Sequence, residues 1–419
     1  MPKFLRTYYR NIFSVLEKDV LLNIISNGAI NFINVLIPVL IQFRIVRILS
    51  FSNIGDINLL LASQSWLLLF STAFHWYLIN RIAKNTSINF LAIIISNYLA
   101  FALFLNLILS FFSFIYFVFF TDIDLSLCIL SLFTIVLSTF GSDYYYQSKL
   151  LNAFILKRKL LVKVIFLVLV YIVIVKEDDY ILYFSLLSLS LMIDAILSSK
   201  DIIKIFRFET IKFKIIRKMI WISAKLLMFN VSYAVLPILF TLSLPYYLDS
   251  EEVGIFSTMI KIFTLATGFI TSMAIVFLPK SLIKNNNSFN DFLLKTSILT
   301  FLLATVVASI FFFSKDLIIY LFLDGNTFDN QNFIFLCGYL VLHSLFNHVV
   351  FNFYVRKESY LFLILVNLVV ILFFVIWNVF FRMHFPITAV LFSSTLFGLF
   401  LISFKVIISF NRVDNMTKR

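Results

Sequence analysis

Several side chains that could bind an anion stand within apolar stretches of this sequence. The clearest is Lys261, which belongs to a stripe of residues at helical spacing: Ser257, Lys261, Thr264, Gly268 and Thr271. A charge in apolar surroundings is costly unless it reaches water or a partner. The stripe therefore predicts a cationic site that faces a cavity. The alternative is that the lysine extends to the nearest polar surface.

A row of amides lies on one helical face of the first apolar stretch and comprises Asn23, Asn27, Asn31, Asn34 and Gln42. Buried amides need hydrogen-bond partners, so the row either bonds neighbouring helices or lines a hydrated cavity. Asn31 recurs 199 positions later as Asn230, which favours the cavity. Pro38 and Pro237 share this offset, and because proline removes a helical hydrogen bond, they are candidate gate hinges or static kinks.

Three arginines and a histidine complete the candidate binding residues. Arg44 and Arg47 follow the amide row, and Arg81 ends the second apolar stretch. For the first two, an anionic ligand and a pair with nearby carboxylates both agree with the sequence. His75, within the second stretch, is either a cavity residue or a packing histidine with satisfied nitrogens, and packing is slightly favoured.

Signatures of soluble enzymes are absent from the sequence. It contains no Walker loop, no dinucleotide glycine fingerprint and no zinc motif. We therefore expect no enzymatic activity, no catalytic residue, no metal site and no cofactor. Asp143 and Asp194 lie near the ends of apolar stretches, where pairing with nearby lysines is expected and coupling to a proton or cation is the alternative.

The composition indicates a membrane protein. Hydrophobic residues make up 62% of the 419 residues and the mean hydropathy is +1.02, whereas globular domains are about half apolar. A span needs about 20 mostly apolar residues, and about twelve such runs occur: 20–43, 57–79, 89–120, 125–146, 160–175, 180–199, 219–246, 255–279, 292–322, 333–355, 359–381 and 386–410. The predicted fold class is an all-α, polytopic membrane protein.

The charge of +13 is distributed in short clusters between these runs. Basic loops, such as 200–218, alternate with acidic ones, such as 177–179. Because lysine and arginine favour the cytoplasmic side of a membrane, we predict that both termini are cytoplasmic. This pattern does not indicate a nucleic-acid partner.

The two halves of the chain repeat one another. Four pairs share the offset of 199 positions: Asn31 and Asn230, Pro38 and Pro237, Gly55 and Gly254, Arg81 and Lys280. We predict a six-helix lobe over residues 1–199, a basic cytoplasmic linker over 200–218, and a second six-helix lobe with a cytoplasmic tail over 219–419. Both lobes begin on the same side, so an axis along the membrane normal relates them.

Short motifs in this order resemble the Wzx-type O-antigen flippases, the polysaccharide-transporter branch of the multidrug/oligosaccharidyl-lipid/polysaccharide (MOP) superfamily. The resemblance covers nearly the whole chain and is carried by Arg47–Ser50 with Ile54-Gly55, Arg81–Ala83, Tyr144–Gln147, Val175-Lys176 with Asp179-Tyr180, and Glu252–Ser257 with Lys261 and Pro279. The sequence departs from the family at Ser50, where glycine is usual, and at Asp143, where proline or a neutral residue is common.

This resemblance implies two pseudo-symmetric, MATE-like lobes around a cavity that opens alternately to each side. The implied substrate is an undecaprenyl-pyrophosphate-linked oligosaccharide, an O-antigen or capsule unit, moved from the cytoplasmic to the outer leaflet of the bacterial inner membrane. Expected partners are the lipid bilayer, a coupling ion (H⁺ or Na⁺) and polysaccharide assembly proteins, and a monomer is expected. The implied substrate-binding residues are Arg44, Arg47, Arg81, Lys261, Asn31, Asn230 and His75.

Two other functions remain open at this point. A drug/cation antiporter of the same superfamily predicts carboxylates deep in the early spans, but the first three runs contain none at mid-depth. A membrane oligosaccharide polymerase predicts a large outer loop, and every predicted outer loop is short. The flippase is therefore the favoured interpretation.

Overall fold

The computed structural model describes residues 18–84, 87–121, 123–275, 286–350, 360–380 and 386–417. All regular structure in these ranges is helical. The main helices, numbered α1 to α14, are Lys18–Ile45, Phe51–Lys84, Ile88–Phe120, Leu125–Ser138, Asp143–Ser148, Asn152–Val173, Tyr180–Ile205, Phe213–Ser243, Ser250–Ile275, Asn286–Phe313, Lys315–Leu323, Asn330–Val349, Tyr360–Phe380 and Ala389–Thr417.

Each of the twelve predicted apolar runs overlaps at least one of these helices. In the described ranges, eight helical segments are long and apolar enough to cross a bilayer, and three shorter ones, Val235–Tyr246, Leu365–Trp377 and Ala389–Ser403, are also apolar. Of the two other helices, α11 has only 9 residues, and α6 carries Lys157, Arg158, Lys159 and Lys163 between its sixth and twelfth residues. The predicted all-helical, polytopic membrane fold is confirmed.

Two predicted runs prove to be broken helices. The run over 125–146 is divided into α4 and α5, because the chain turns at residues 139–142. There, the Ser142 backbone N–H donates to Ser198 Oγ (3.0 Å), and the Ser142 hydroxyl donates to the Ser198 carbonyl oxygen (2.7 Å). These bonds replace helical ones, and hydropathy alone does not reveal them. The run over 292–322 is likewise divided, into α10 and α11.

The two halves of the chain meet mainly through α2 and α9. Helix α2 packs along both α8 and α9, and α1 packs against α6 and α9. The Asn58 amide of α2 donates to Ser257 Oγ of α9 (2.9 Å), and these residues differ by 199 positions. Residues that share a repeat position and also touch must lie beside the axis that relates the repeats. The predicted axis would therefore lie between α2 and α9.

Further contacts join the halves at the end of the bundle where Gly55 and Gly254 approach each other, which we call the glycine end. The hydroxyls of Tyr116 and Tyr246 are 2.9 Å apart. The rings of Phe43 and Phe322 have centroids 4.7 Å apart. The backbones and these aromatic pairs hold the halves together at the glycine end.

The segment predicted as the linker is helical on both sides. Helix α7 extends to Ile205 and α8 begins at Phe213, so only residues 206–212 connect the halves, with a 3₁₀ turn at Phe208–Thr210. The lobe boundaries at 199 and 219 therefore fall within helices. The division into two lobes and a linker remains a prediction.

Candidate functional site

A cavity of about 670 Å³ lies between the two halves, beside the α2–α9 crossing. Its wall is formed by five helices: α1, α2, α8, α9 and α12. The volume is within the range of ligand-binding pockets, about 300–1,000 Å³. The stripe predicted from helical spacing on α9 faces this cavity, since Ser257, Lys261, Thr264, Gly268 and Thr271 all line it.

Lys261 is half-buried in this wall and is held by an amide of the other half. Its ammonium Nζ donates to Gln42 Oε1 at 3.2 Å. The Gln42 amide nitrogen in turn donates to Thr258 Oγ1 at 3.4 Å. Because Gln42 is neutral, the lysine keeps its positive charge uncompensated by this contact. An ammonium has three donors, so it can bind an anion in the cavity as well.

Lys261 is the only charged residue among the cavity-lining residues that the structure describes. The other polar groups there are amides, hydroxyls and one imidazole, supplied by Asn31, Asn34, Asn58, Ser65, Thr241, Ser257, Thr264, Thr267, Thr271, His343 and Asn347. A single cation among neutral hydrogen-bonding groups is suited to a ligand that has one anionic part and a polar, uncharged part.

The amide row on α1 contributes two of these groups, since Asn31 and Asn34 both line the cavity. Gln42 lies farther along the same helix, beside Lys261. Asn230, the predicted counterpart of Asn31, is part of α8, but its side chain lies outside the described residues. The cavity interpretation of the row thus has a structural basis for Asn31 and Asn34.

The central part of the cavity is lined by equivalent positions of the internal repeat. Four pairs of lining residues differ by 199 positions: Asn58 and Ser257, Leu61 and Ile260, Ala62 and Lys261, Ser65 and Thr264. The α2 members were missed by sequence reasoning. The repeat offset, applied to the α9 stripe, would have found them. At one of these equivalent positions the first half has Ala62 and the second half has Lys261, so the charge lies on one side of the axis.

Toward the second half the cavity extends beyond this symmetric part. The extension is lined by Thr267, Gly268, Phe269, Thr271, His343 and Asn347. The Asn347 amide nitrogen donates to Thr271 Oγ1 at 3.4 Å, but the buried Asn347 Oδ1 atom accepts no hydrogen bond from the residues that the structure describes. A buried acceptor without a donor is costly, and a ligand hydroxyl in the cavity could supply the donor.

Three predicted binding residues do not line the cavity. Arg44 donates to the Ile174 carbonyl oxygen at 3.3 Å, and its guanidinium lies 5.8 Å from the Tyr171 ring centroid. Arg47 is exposed beyond the end of α1. Arg81 is exposed, with its guanidinium 5.5 Å from the ring centroid of its own helix neighbour Tyr77. The charge pattern of the sequence identified these arginines as candidate binding residues, but it does not predict whether their side chains face the cavity.

His75 also lies outside the cavity, within a packed aromatic cluster. Its Nε2 atom is 2.9 Å from the Tyr98 hydroxyl, and its ring lies 5.0 Å from the Tyr144 ring. This is the packing alternative raised for His75. A role in binding the substrate remains a prediction for His75 and the three arginines.

Asp143 and Asp194 take part in one ion-pair cluster within the first half. The Arg158 guanidinium donates to Asp143 and, at 2.7 Å, to Asp194 Oδ1. Lys159 Nζ lies 2.8 Å from Asp143 Oδ2 and 3.7 Å from Asp194 Oδ2. The expected pairing of these carboxylates is therefore present, but the buried arginine is the central partner and the lysine is second.

The two candidate hinge prolines differ in position. Pro237 lies within α8, is buried and lines the cavity, while Pro38 is half-buried within α1. The Thr241 hydroxyl donates to the Pro237 carbonyl oxygen at 2.9 Å. Their role as hinges remains a prediction. Across the described residues, no group of three or more His, Cys, Asp and Glu side chains could hold a metal ion.

No protein-family model matches the sequence, and no curated protein matches it. The fold, in contrast, matches solved structures. The fold is similar to an inward-facing multidrug resistance MATE family transporter of the MOP superfamily, with a TM-score of 0.63 and 11% identity, over 91% of this chain and 95% of that one.

The fold is also similar to a MOP superfamily transporter from Pyrococcus furiosus, which is described as having a binding pocket of reverse polarity that suggests a different function. The TM-score is 0.56 at 12% identity, over 95% of this chain and 96% of that one. At these identities the likeness shows the fold alone. The predicted MOP/MATE-like architecture is thereby confirmed.

Proposed function

We propose that this chain, which has the fold of MOP superfamily transporters, is a non-enzymatic flippase for undecaprenyl-pyrophosphate-linked oligosaccharides. It moves the head group of this lipid from the cytoplasmic to the outer leaflet of the bacterial inner membrane by alternating access. The observation that carries the proposal is Lys261, the single cation of the described cavity lining, among neutral amides and hydroxyls. The Wzx-like motifs of the sequence support the same substrate.

The pyrophosphate binds at Lys261. An ammonium that is only hydrogen-bonded to the neutral Gln42 can form charge-assisted bonds with phosphate oxygens. Asn31 and Asn58 line the same cavity and offer neutral donors nearby. The polyprenyl tail needs no protein site, because it remains in the bilayer while the head group crosses.

The sugars occupy the extension toward the second half. That part of the cavity combines the aromatic ring of Phe269 with Thr271, His343 and Asn347, and none of the residues described there is charged. Thr271 is ten residues from Lys261 on α9, a distance of about 15 Å along a helix that rises 1.5 Å per residue. A head group with an anionic end and a neutral saccharide end can therefore bind both regions at once.

The glycine end is the outer gate in this proposal. The halves touch there through Gly55 and Gly254 and through Tyr116 and Tyr246. The cavity begins beside this contact and continues along α9 toward Thr271. With the predicted cytoplasmic termini, this is an inward-facing arrangement that accepts substrate from the cytoplasmic leaflet. Pro38 and Pro237 are the candidate hinges for opening.

The antiporter alternative is weaker, because a cationic drug would enter a cavity whose described lining has one cation and no carboxylate. The sequence has no nucleotide-binding motif, so transport draws on an ion gradient of H⁺ or Na⁺, or on the membrane potential. An uncoupler should then stop the movement of lipid-linked units. Movement that continues unchanged after its addition would reject this coupling.

The experiment that tests the function uses a deletion strain of a native host that makes lipopolysaccharide. A gel of the lipid A core separates three outcomes. A core without repeat units, with lipid-linked units accumulating in the membrane, supports the flippase. One repeat unit on every core means that crossing is intact and lengthening has failed, which identifies a polymerase. An unchanged ladder rejects both and returns the antiporter to first place.

A further inference from the structure

Residues 200–218 carry an exposed basic surface that the transport site does not use. Seven basic side chains are exposed there: Lys200, Lys204, Arg207, Lys212, Lys214, Arg217 and Lys218. The same segment has only two acidic residues, Asp201 and Glu209, and one of the described ion pairs, Lys204 with Asp201 at 3.7 Å, joins two exposed side chains. The segment is therefore strongly positive.

Two phenylalanines project from this basic segment. The side chains of Phe208 and Phe213 are each 79% exposed. Phe208 lies in the 3₁₀ turn and Phe213 begins α8, so both are outside the described spans that are long and apolar enough to cross a membrane. Two exposed aromatic rings between basic side chains form a surface that is apolar at its centre and cationic around it.

Hydrogen bonds fix this segment to α3. The fully buried Asn97 side chain donates to the Thr210 carbonyl oxygen at 2.8 Å and accepts from the Lys212 backbone N–H at 2.7 Å. The Ser96 hydroxyl oxygen accepts from the Arg207 backbone N–H at 2.8 Å. The connection is thus held in one position, and so are the two rings.

The position of these bonds on α3 sets their depth in the membrane. Helix α3 has 33 residues, so it is about 50 Å long, whereas the hydrocarbon needs only about 20 residues. With α3 centred in the bilayer, about six residues at each end extend beyond the hydrocarbon. Ser96 and Asn97 are the ninth and tenth residues of α3. They lie about three residues, or about 5 Å, inside the hydrocarbon, and hold the connection close to its boundary with the head groups.

We propose that residues 206–218 form a binding surface for anionic lipid head groups, with Phe208 and Phe213 inserted among the acyl chains and the flanking lysines and arginines on the phosphates. Aromatic rings are favoured at this level of a membrane, and basic clusters next to spans attract anionic lipids. The opposite charge of head group and surface selects anionic lipids over zwitterionic ones. The surface anchors the connection between the two halves to one leaflet.

Quenching of tryptophan by brominated lipids tests this surface on the full chain reconstituted in vesicles. Phe208→Trp and Phe213→Trp are compared with wild type in vesicles that contain either dibrominated phosphatidylglycerol or dibrominated phosphatidylcholine. Both new tryptophans should be quenched, with a roughly fivefold preference for phosphatidylglycerol, which is the effect of about one basic residue near an anionic surface.

Two controls make the result specific. Phe104 is 65% exposed in the middle of α3, so Phe104→Trp should be quenched equally by both lipids. Neutralising all five basic side chains of the surface, with Arg207→Gln, Lys212→Gln, Lys214→Gln, Arg217→Gln and Lys218→Gln, should remove the preference and leave the quenching. Lys176 is exposed at the other end of α7, and Lys176→Gln should change neither the lipid preference nor the quenching.

Three outcomes would overturn the proposal. Tryptophans at 208 and 213 that neither lipid quenches would mean that the rings project into water. Equal quenching by both lipids would mean that the surface has no preference for anionic lipids. A preference that survives neutralisation of all five basic side chains would mean that residues outside this surface produce it.

Discussion

Gly55 and Gly254 face each other where α2 crosses α9, and each is the repeat counterpart of the other. A Cβ atom on Gly254 would lie 1.8 Å from the Phe51 carbonyl oxygen, whereas one on Gly55 would lie 2.9 Å from the Ser250 carbonyl oxygen. Small residues allow membrane helices to approach this closely. The crossing therefore depends on the absence of a side chain, and more strictly at Gly254.

The first prediction concerns this crossing. Gly254→Ala should lower surface glycan at least tenfold, because its methyl group would push the backbones apart and prevent closure of the glycine end. Gly55→Ala should have a smaller effect, since its clash is milder. Gly28→Ala is the matched control, since among the described residues no atom beyond its own stretch of helix lies within 4 Å of the added Cβ. Equal glycan in all three variants, at equal membrane levels, would refute the role of the crossing.

The second prediction uses Asn58 and Ser257, which are hydrogen-bonded at 2.9 Å. In a variant that lacks the native cysteines, Asn58→Cys and Ser257→Cys should form a disulfide under mild oxidation. The bond would hold the glycine end closed, so flipping should stop and should return after reduction. Each single cysteine variant serves as the control. Full transport by the crosslinked protein would show that the halves need not separate here.

The third prediction concerns Lys261. Lys261→Ala should lower surface glycan by roughly tenfold to a hundredfold, which corresponds to the loss of a hydrogen bond to a charged group. Lys261→Arg should be milder, since it keeps the charge. Lys84 is exposed at the end of α2, and Lys84→Ala is the control. Wild-type glycan in Lys261→Ala, at normal membrane levels, would eliminate this lysine as the anion site.

The fourth prediction moves this charge across the axis. Ala62 occupies the repeat position of Lys261 and lines the same cavity. Ala62→Lys in the Lys261→Ala background should restore part of the transport, because a cation again faces the head group. Ala62→Lys with Lys261 retained should weaken transport, because the two ammonium groups repel each other. The measurement is surface glycan per molecule of membrane protein.

The fifth prediction concerns the stability of the first half. Arg158→Leu leaves Asp143 and Asp194 without their buried partner and should cost about 3–5 kcal/mol of unfolding free energy. Adding Asp143→Asn and Asp194→Asn should recover much of this loss, because both carboxylates are then neutral and Lys159, their second partner, is the charge that remains in the cluster. The control is Lys204→Leu, whose exposed pair contributes about 0–1 kcal/mol. Thermal unfolding in detergent measures all three.

The sequence predicted the elements of this fold because spans and repeats leave direct patterns. Apolar runs long enough to span a bilayer predict transmembrane helices with few alternatives. The helical spacing of the α9 stripe was enough to predict that its residues share one face. The repeat offset also had a physical meaning, since Asn58 and Ser257 touch at that offset. Such local or periodic information does not require knowledge of tertiary contacts.

The basic candidates show the limit of this reasoning. Arg44 and Lys261 both looked like cations close to apolar surroundings, yet only Lys261 reaches the cavity. The difference arises from which helix packs on which face, and Arg44 meets the Ile174 carbonyl oxygen instead. The break between α4 and α5 was also missed. Its hydrogen bonds involve Ser198 of α7, which is 56 residues away in the sequence but adjacent in the fold.

The pairing of Ala62 with Lys261 has an evolutionary consequence. A homodimer of one six-helix unit would have the same residue at both positions, and thus two lysines or none. Joining duplicated units in one polypeptide lets the two positions mutate independently. Residues that meet their own counterparts, such as Gly55 and Gly254, have less freedom. Gene duplication therefore offers a route to an asymmetric ligand site within a symmetric scaffold.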